Sequence, residues 1–374
     1  MSVFEHSVQV FLKPVLEFLK DDSVSEIMIN GPDTIFIERG GKVFKTDAKF
    51  EDANSLMAAV RNIAQFVGRP IDDERPFLDA RLPDGSRIHA VVPPVARNGT
   101  TVAIRKFSKT KLSLKDLIGK GALTTDAARF LDVCLYLKKN IIVSGGTGSG
   151  KTTLLGILAS RCAPDQRIVV LEDSAELKIH NEHVVFFEAR PADEYGKGQV
   201  TLRDLVKSSL RLRPDRVIVG EVRSGEALDL ISSMNTGHSG SMGTVHSNNP
   251  KECLTRLETL ALMTDAEVPV QAIRAQVAAA INVMVQLSRL ADGSRKITHI
   301  SEGLGMDLQG NYITNDIYLF EQTGRTATGK IIGALNPTGN LPSFMKEIEV
   351  NHLPFPKEMF SKRVPPVNPD EKAA

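Results

Sequence analysis

The sequence predicts an α/β protein in which a domain built on a largely parallel sheet, flanked by helices, follows a smaller N-terminal α+β unit. Three observations carry this. The 374 residues suit two domains of roughly 100 to 200 residues better than one. From about residue 120 onward, β-branched runs alternate with helical stretches, the order that gives parallel strands joined by helical crossovers. A glycine-rich turn at residues 145–150 stands between an apolar strand and a helix. With 42% hydrophobic and 24% charged residues, the chain can bury a core without disulfides or a structural metal.

In chain order, Val8, Leu12, Val15, Leu16 and Leu19 repeat at helical spacing and predict one amphipathic helix. EIMIN and TIFIERGGKVFK read as short strands punctuated by Gly31-Pro32 and Gly40-Gly41. Leu56, Met57, Val60, Ile63, Ala64 and Val67 form the apolar stripe of a second helix, and DARLPDGSRIHAVV and TVAIRKF add two further strands. These place the first domain at 1–107, and the polar stretch SKTKLSLKDL places a linker at 108–119. The second domain, 120–362, takes its strands from NIIVSGG, RIVVLED, HVVFFEAR, RVIVGEV and GSMGTVHS. Beyond Pro269, VQAIRAQVAAAIN predicts a helix and VMVQLSRLADGSRKITHISEG a hairpin turning at Asp292-Gly293. A Gly-, Asn- and Pro-rich tail follows, of which 363–374 reads as a loose end.

Composition excludes several partners. Lys and Arg total 46 against 45 Asp and Glu, a formal net charge of +1, so no global field draws the chain onto nucleic acid or anionic lipid. Aromatic residues, at 5%, offer no stacking platform for single strands, and nucleic acid is not expected as a partner. Cys134, Cys162 and Cys253 lie far apart with no C-x-x-C pair, which points away from a disulfide framework or zinc site and toward a reducing cytoplasm. No run approaches the roughly 18 apolar residues of a spanning helix, and the charged N-terminal stretch is unlike a signal peptide. Any contact with a membrane is expected to be peripheral, through partners.

Four motifs carry chemistry. Gly145, Gly146, Thr147, Gly148, Ser149, Gly150, Lys151 and Thr152 satisfy G-x-x-x-x-G-K-[ST] between NIIVS and TTLLGILASR, the strand-to-helix context the motif requires. Backbone N–H groups up to Thr153 would cradle the phosphates of ATP, Lys151 would neutralise the β and γ charges, and the Thr152 hydroxyl would ligate Mg²⁺. RVIVGEVR delivers Glu221 at a strand end, where it would hold Mg²⁺ through water. RIVVLEDSAEL delivers Glu172 and Asp173. Neighbouring strand residues point to opposite faces, so one acid faces the γ-phosphate while the other anchors the loop. Glu172 is assigned to orient or deprotonate the attacking water. In NTGHSGSMGTVHSNN, His238 and His246 flank a glycine-rich stretch and would sense or stabilise phosphate charge. Arginine candidates for the γ-phosphate are Arg81, Arg87 and Arg105 in the first domain and Arg190, Arg203, Arg211 and Arg213 in the second. In ring-shaped motors such a cation can arrive from another domain or subunit.

In their order GGTGSGKTT, LEDSAEL, VGEVRSGEA and TGHSGSMGTVHSN, these motifs resemble the secretion-superfamily ATPases of type II, type IV pilus and type IV secretion machines. The surrounding wording, including VSEIMINGPDTIFIERGGKV, LRLRPDRVIVGEVR and SRLADGSRKITHISE, looks most like the CpaF/TadA branch that powers tight-adherence (Flp-type) pili. The resemblance runs from the neighbourhood of Asp22 to that of Phe344. It implies a RecA-like ATPase domain behind a PAS-like one, and a homohexamer binding ATP between its two domains. It also implies Glu172 as catalytic acid or base, Glu221 as the Walker B acid and His246 as the His-box residue. The ring would sit on the inner face of the bacterial inner membrane and push on polytopic platform proteins. A traffic ATPase of a DNA- or effector-translocating type IV secretion system shares all four motifs and is the alternative. A scaffold that binds nucleotide without hydrolysing it is the alternative from another class, and the intact Lys151, Thr152, Glu172 and Glu221 weigh against it.

Overall fold

The computed structural model describes residues 3–106, 112–193, 196–264 and 267–362, and the chain divides into two compact units between residues 111 and 112. The first opens with α1 (Val3–Phe11), a 3-10 turn (Lys13–Val15) and α2 (Leu16–Lys20). The single helix expected here is broken at Pro14, which lacks an N–H and whose ring clashes with the preceding turn. Val8, Leu12 and Val15 nevertheless stay in the core. There follow β1 (Val24–Asn30), β2 (Ile35–Arg39), β3 (Lys42–Lys45), α3 (Ala53–Phe66), β4 (Phe77–Arg81), β5 (Arg87–Val91) and β6 (Thr101–Arg105). The strands form one antiparallel sheet in the order β3-β2-β1-β6-β5-β4.

DARLPDGSRIHAVV is thus two strands rather than one. The Leu82 N–H donates to the Ser86 carbonyl, Asp84 accepts from the Ser86 N–H and hydroxyl, and Gly85 takes φ 88° to close the turn. Helix α3 starts in a reciprocal capping box between Asp52 and Ser55. It lays Leu56, Val60 and Ile63 on a core shared with Ile27, Ile29, Ile88 and Ile104.

Of the expected linker, residues 108–111 lie outside the described residues, and Leu114–Gly119 is α4 of the second unit. The Asp116 carboxylate accepts from the Ser113 N–H and the Ser113 hydroxyl accepts from the Asp116 N–H, which starts the helix. Leu114 is buried in the second unit's core, so this segment is no free connector. The end segment 363–374 also lies outside the described residues.

The second unit continues with α5 (Thr125–Tyr136), β7 (Ile141–Gly145), α6 (Lys151–Ala159), β8 (Ile168–Glu172), β9 (Val184–Glu188), α7 (Leu202–Ser209), β10 (Arg216–Val219), α8 (Glu226–Asn235), β11 (Met242–Val245), α9 (Pro250–Ala261), α10 (Val270–Ala280), β12 (Val283–Arg289), β13 (Arg295–Met306), β14 (Tyr312–Arg325), β15 (Ile331–Pro337) and α11 (Met345–Val350). The sheet order is β15-β14-β13-β12-β7-β11-β10-β8-β9. From β12 to β9 every pairing is parallel, and β13 to β15 extend the sheet antiparallel. The stretch expected as an irregular tail therefore contains β14 and β15.

Both faces of the parallel part are covered, which explains the unbroken apolar runs. Ile141 and Val143 face one core while Ile142 faces the other, and Ile168 and Val170 divide likewise from Val169 and Leu171. In the first of these cores Phe130 gathers the rings of Tyr318, Phe344, Phe355 and Phe360, all with centroids within 6.0 Å. Among the described residues no helix is long and apolar enough to cross a membrane.

Candidate active site

Parallel strands bring their carboxyl ends to one edge of a sheet, and the crevice outside that edge is where such sheets bind ligands. Here the neighbours β7, β11, β10 and β8 end in turn at Gly145, Val245, Val219 and Glu172. The glycine-rich loop, His246, Glu221 and Glu172 therefore leave the sheet side by side, on strands about 4.8 Å apart.

The loop has the form of a phosphate cradle. Gly145 passes so close to β12 that a Cβ there would lie 2.5 Å from the Leu287 carbonyl oxygen and 2.7 Å from Ser149 Oγ. Gly148 and Gly150 take left-handed φ of 69° and 101°, conformations open to glycine. Gly150 caps α6 without a side-chain hydrogen bond, so first-turn amides point outward for an anion. Ser149 is buried, its hydroxyl donating to the Gly146 carbonyl at 2.8 Å. Its side chain shapes the loop and leaves the binding to amides. Lys151 Nζ donates to the same carbonyl at 3.1 Å. Thr152 is half-buried, and Thr147 and Thr153 are exposed.

The two strand-end acids differ. Glu172 is 3% exposed, and one of its carboxylate oxygens accepts from the N–H groups of Glu176 and Leu177 at 2.9 and 2.8 Å. The loop-anchoring role foreseen for one member of the Glu172/Asp173 pair is thus filled by Glu172, while exposed Asp173 lies 3.5 Å from Arg223. Burial pushes the Glu172 carboxyl above its ordinary range, and those amide bonds only partly offset it. Glu221 goes the other way. Burial would raise it, but the Arg223 hydrogen bond and the charges of Arg223, Lys151 and His246 prevail and hold it ionised below the usual range. The salt bridge from Arg223 is 2.6 Å long. That Lys151 and His246 both act on Glu221 places three of the motifs in one electrostatic neighbourhood.

Several candidates fall elsewhere. His238 lies in the turn before β11, at the opposite edge of the sheet from the loop. Its N–H donates to the Ser233 carbonyl and its carbonyl accepts from the Ser241 hydroxyl, so it does not join the glycine-rich loop, Glu221 and His246 at the carboxyl ends of the strands. Arg211 follows α7 and precedes β10, on that same far edge, and is exposed. Arg190 follows edge strand β9 and donates to the Gly198 carbonyl at 2.6 Å, bracing its own loop. Arg203 pairs with Asp229. Arg81, Arg87 and Arg105 stand abreast on β4, β5 and β6 of the first unit, with Arg87 held by Asp79.

The structure adds residues that motif reading missed. Arg289 and Arg295 face each other across β12 and β13, and Arg295 Nε donates to the Gly148 carbonyl at 2.7 Å. Gln286 joins Ser144 to Ser247 beneath the loop. The hairpin was legible, but nothing in SRLADGSR says that it lies against a loop, with Arg295 bonded to a residue 147 positions earlier.

The residues fit a nucleotide with a divalent cation. The glycines leave a cradle that Cβ atoms would fill, the helix start offers amides, and Thr152 and ionised Glu221 are oxygen donors suited to Mg²⁺. Among the described residues no group of three His, Cys, Asp or Glu could hold a metal alone, so such a cation would take its remaining ligands from phosphate and water.

Fold and site together are those of the P-loop nucleotide-binding proteins with a RecA-like sheet, here preceded by a smaller α+β domain. The chain belongs to the family described as Type II/IV secretion system protein, which matches residues 9–330. It is similar to the conjugal transfer protein TrbB of Rhizobium radiobacter, 36% identical over 289 residues that cover 75% of this chain and 85% of the relative. It is also similar to the type IV secretion system protein VirB11 of Brucella suis, 34% identical over 327 residues covering 79% and 89%. In fold it resembles the ATPase DotB of Yersinia pseudotuberculosis, with a TM-score of 0.57 and 18% identity over 82% of this chain and 81% of that one.

Proposed function

We propose that this protein hydrolyses ATP as the traffic ATPase of a type IV secretion machine, acting as a homohexamer on polytopic inner-membrane partners from the cytoplasmic side. The observation that carries hydrolysis is the meeting of the glycine-rich loop, Glu172, Glu221 and His246 on one sheet edge. The likeness to TrbB and VirB11 supports the secretion role over the pilus one. The wording shared with the CpaF/TadA branch supports a tight-adherence pilus motor as second reading. Neighbouring conjugation genes would favour the first, neighbouring prepilin genes the second.

In the mechanism, loop amides and Lys151 bind the β- and γ-phosphates. Thr152 and Glu221 would hold Mg²⁺, which when bound neutralises charge on those phosphates. Glu172 combines both roles foreseen for the pair, anchoring the loop through the oxygen that accepts from Glu176 and Leu177 while its second carboxylate oxygen aligns the attacking water and takes its proton. Its raised affinity for a proton suits a base, and the two amides fix its direction.

Steady-state ATPase assays of wild type beside Glu172→Gln and Glu221→Gln, with mass determined with and without ATP, test this. The expected result is Mg-dependent turnover by a hexamer, with kcat lowered about 10²- to 10⁴-fold in Glu172→Gln and nucleotide binding kept. Binding without turnover in wild type would favour the scaffold.

A further inference from the structure

Gln286 is an amide set in an apolar strand, 1% exposed among Met284, Val285 and Leu287. Packing alone would be met by an aliphatic side chain, and a buried amide is costly unless its hydrogen bonds are made. It pairs with Ser144 in the β12–β7 register, and Ser144 pairs with Val245 of β11 on its other flank. The Gln286 side chain therefore crosses over β7, the strand that carries the loop. Its Oε1 accepts from the Ser144 hydroxyl at 2.5 Å, and its Nε2 donates to the Ser247 carbonyl at 3.1 Å and the Leu287 carbonyl at 3.4 Å. The amide has one possible orientation. Carbonyl oxygens only accept, so Nε2 must face them, and Ser144 must then be the donor.

Both ends of this link adjoin the candidate active site. Ser144 precedes Gly145, and Ser247 follows His246. Ser247 is buried and His246 exposed, so a fixed Ser247 carbonyl fixes the backbone next to the imidazole, whose charge acts on Glu221. We propose that Gln286 is a positioning residue for ATP hydrolysis, locking the His246 segment to the loop-bearing strand so that imidazole, loop and Glu221 keep one geometry. The inference rests on the hydrolytic reading above.

The test is a double-mutant cycle of Gln286→Met, close to Gln in shape but without its hydrogen bonds, with His246→Ala, reading kcat, KM for ATP and melting temperature. Gln286→Met is expected to fold, to leave KM little changed and to lower kcat about 10- to 100-fold. The double variant should lose little beyond His246→Ala alone, the signature of action through that histidine. Unchanged kcat in Gln286→Met, or single losses that simply multiply in the double variant, would overturn the inference while leaving wild-type hydrolysis intact. No turnover by nucleotide-bound wild type would overturn both readings. If Gln286→Met does not fold, Gln286→Leu carries the same cycle, because its aliphatic side chain suits the apolar surroundings and lacks both the acceptor for Ser144 and the donor to Ser247.

Discussion

A methyl group at Gly145 has nowhere to go. The Leu287 carbonyl is backbone of a central strand and cannot swing aside, so Gly145→Ala should destabilise the second unit by about 1 to 3 kcal/mol through overpacking and weaken nucleotide binding. Denaturant titration and nucleotide binding measured on one preparation check both. Gly220 is also confined, since an added Cβ would lie 2.9 Å from Cγ of buried Glu172, whose carboxylate the Glu176 and Leu177 amides hold in place. The glycine pattern was readable because spacing and chemistry coincide in a few adjacent residues. Part of the reason for glycine at 145 is a strand more than a hundred residues downstream, and no local pattern encodes that. The same limit misassigned His238: sequence proximity to His246 concealed that a strand separates them, placing them at opposite edges of the sheet.

Helices and strands were legible where their periodicity was long and their ends plain. They were missed where one short signal decided the matter. Four residues, Ser113 to Asp116, turn the end of the expected linker into α4, and Ser113→Ala should cost about 1 kcal/mol of stability, measurable by chemical denaturation. Elements are also tied by charge. Glu258 on α9 accepts from Arg274 on α10 at 2.8 Å and from the Tyr312 hydroxyl on β14 at 2.8 Å. The Arg274 bond leads in holding Glu258 below the usual carboxylate range, against the effect of burial. A lowered native value stabilises above the unfolded value and is lost as pH falls through the native one. The melting-temperature gap between wild type and Glu258→Gln should therefore be widest near neutral pH and close as pH falls below about 4. A gap constant from pH 7 to pH 3 would contradict the assignment.

Each unit of the whole molecule has its own core: Ile27 and its neighbours in the first, Leu131 and its neighbours in the second. Calorimetry of the full chain should resolve two transitions. Ile27→Ala should lower one and Leu131→Ala the other, each by about 2 to 5 kcal/mol. The two-part organisation could be read from the shift in pattern near residue 120, because a parallel sheet writes itself as repeated β-branched runs. Strands β14 and β15 could not, since glycine, asparagine and exposed polar positions dilute their alternation to the look of a loop.

The contact between β7 and β12 joins residues 142 positions apart, and this sets an order on biosynthesis. Until the ribosome has released the chain through Arg289, the phosphate loop has no wall behind Gly145 and Ser144 no partner at Gln286. Long-range pairing of this kind forms late, so a nascent chain should gain affinity for nucleotide abruptly rather than in proportion to its length. A truncated product ending before Val283 would carry every residue of the four motifs and still lack the pocket.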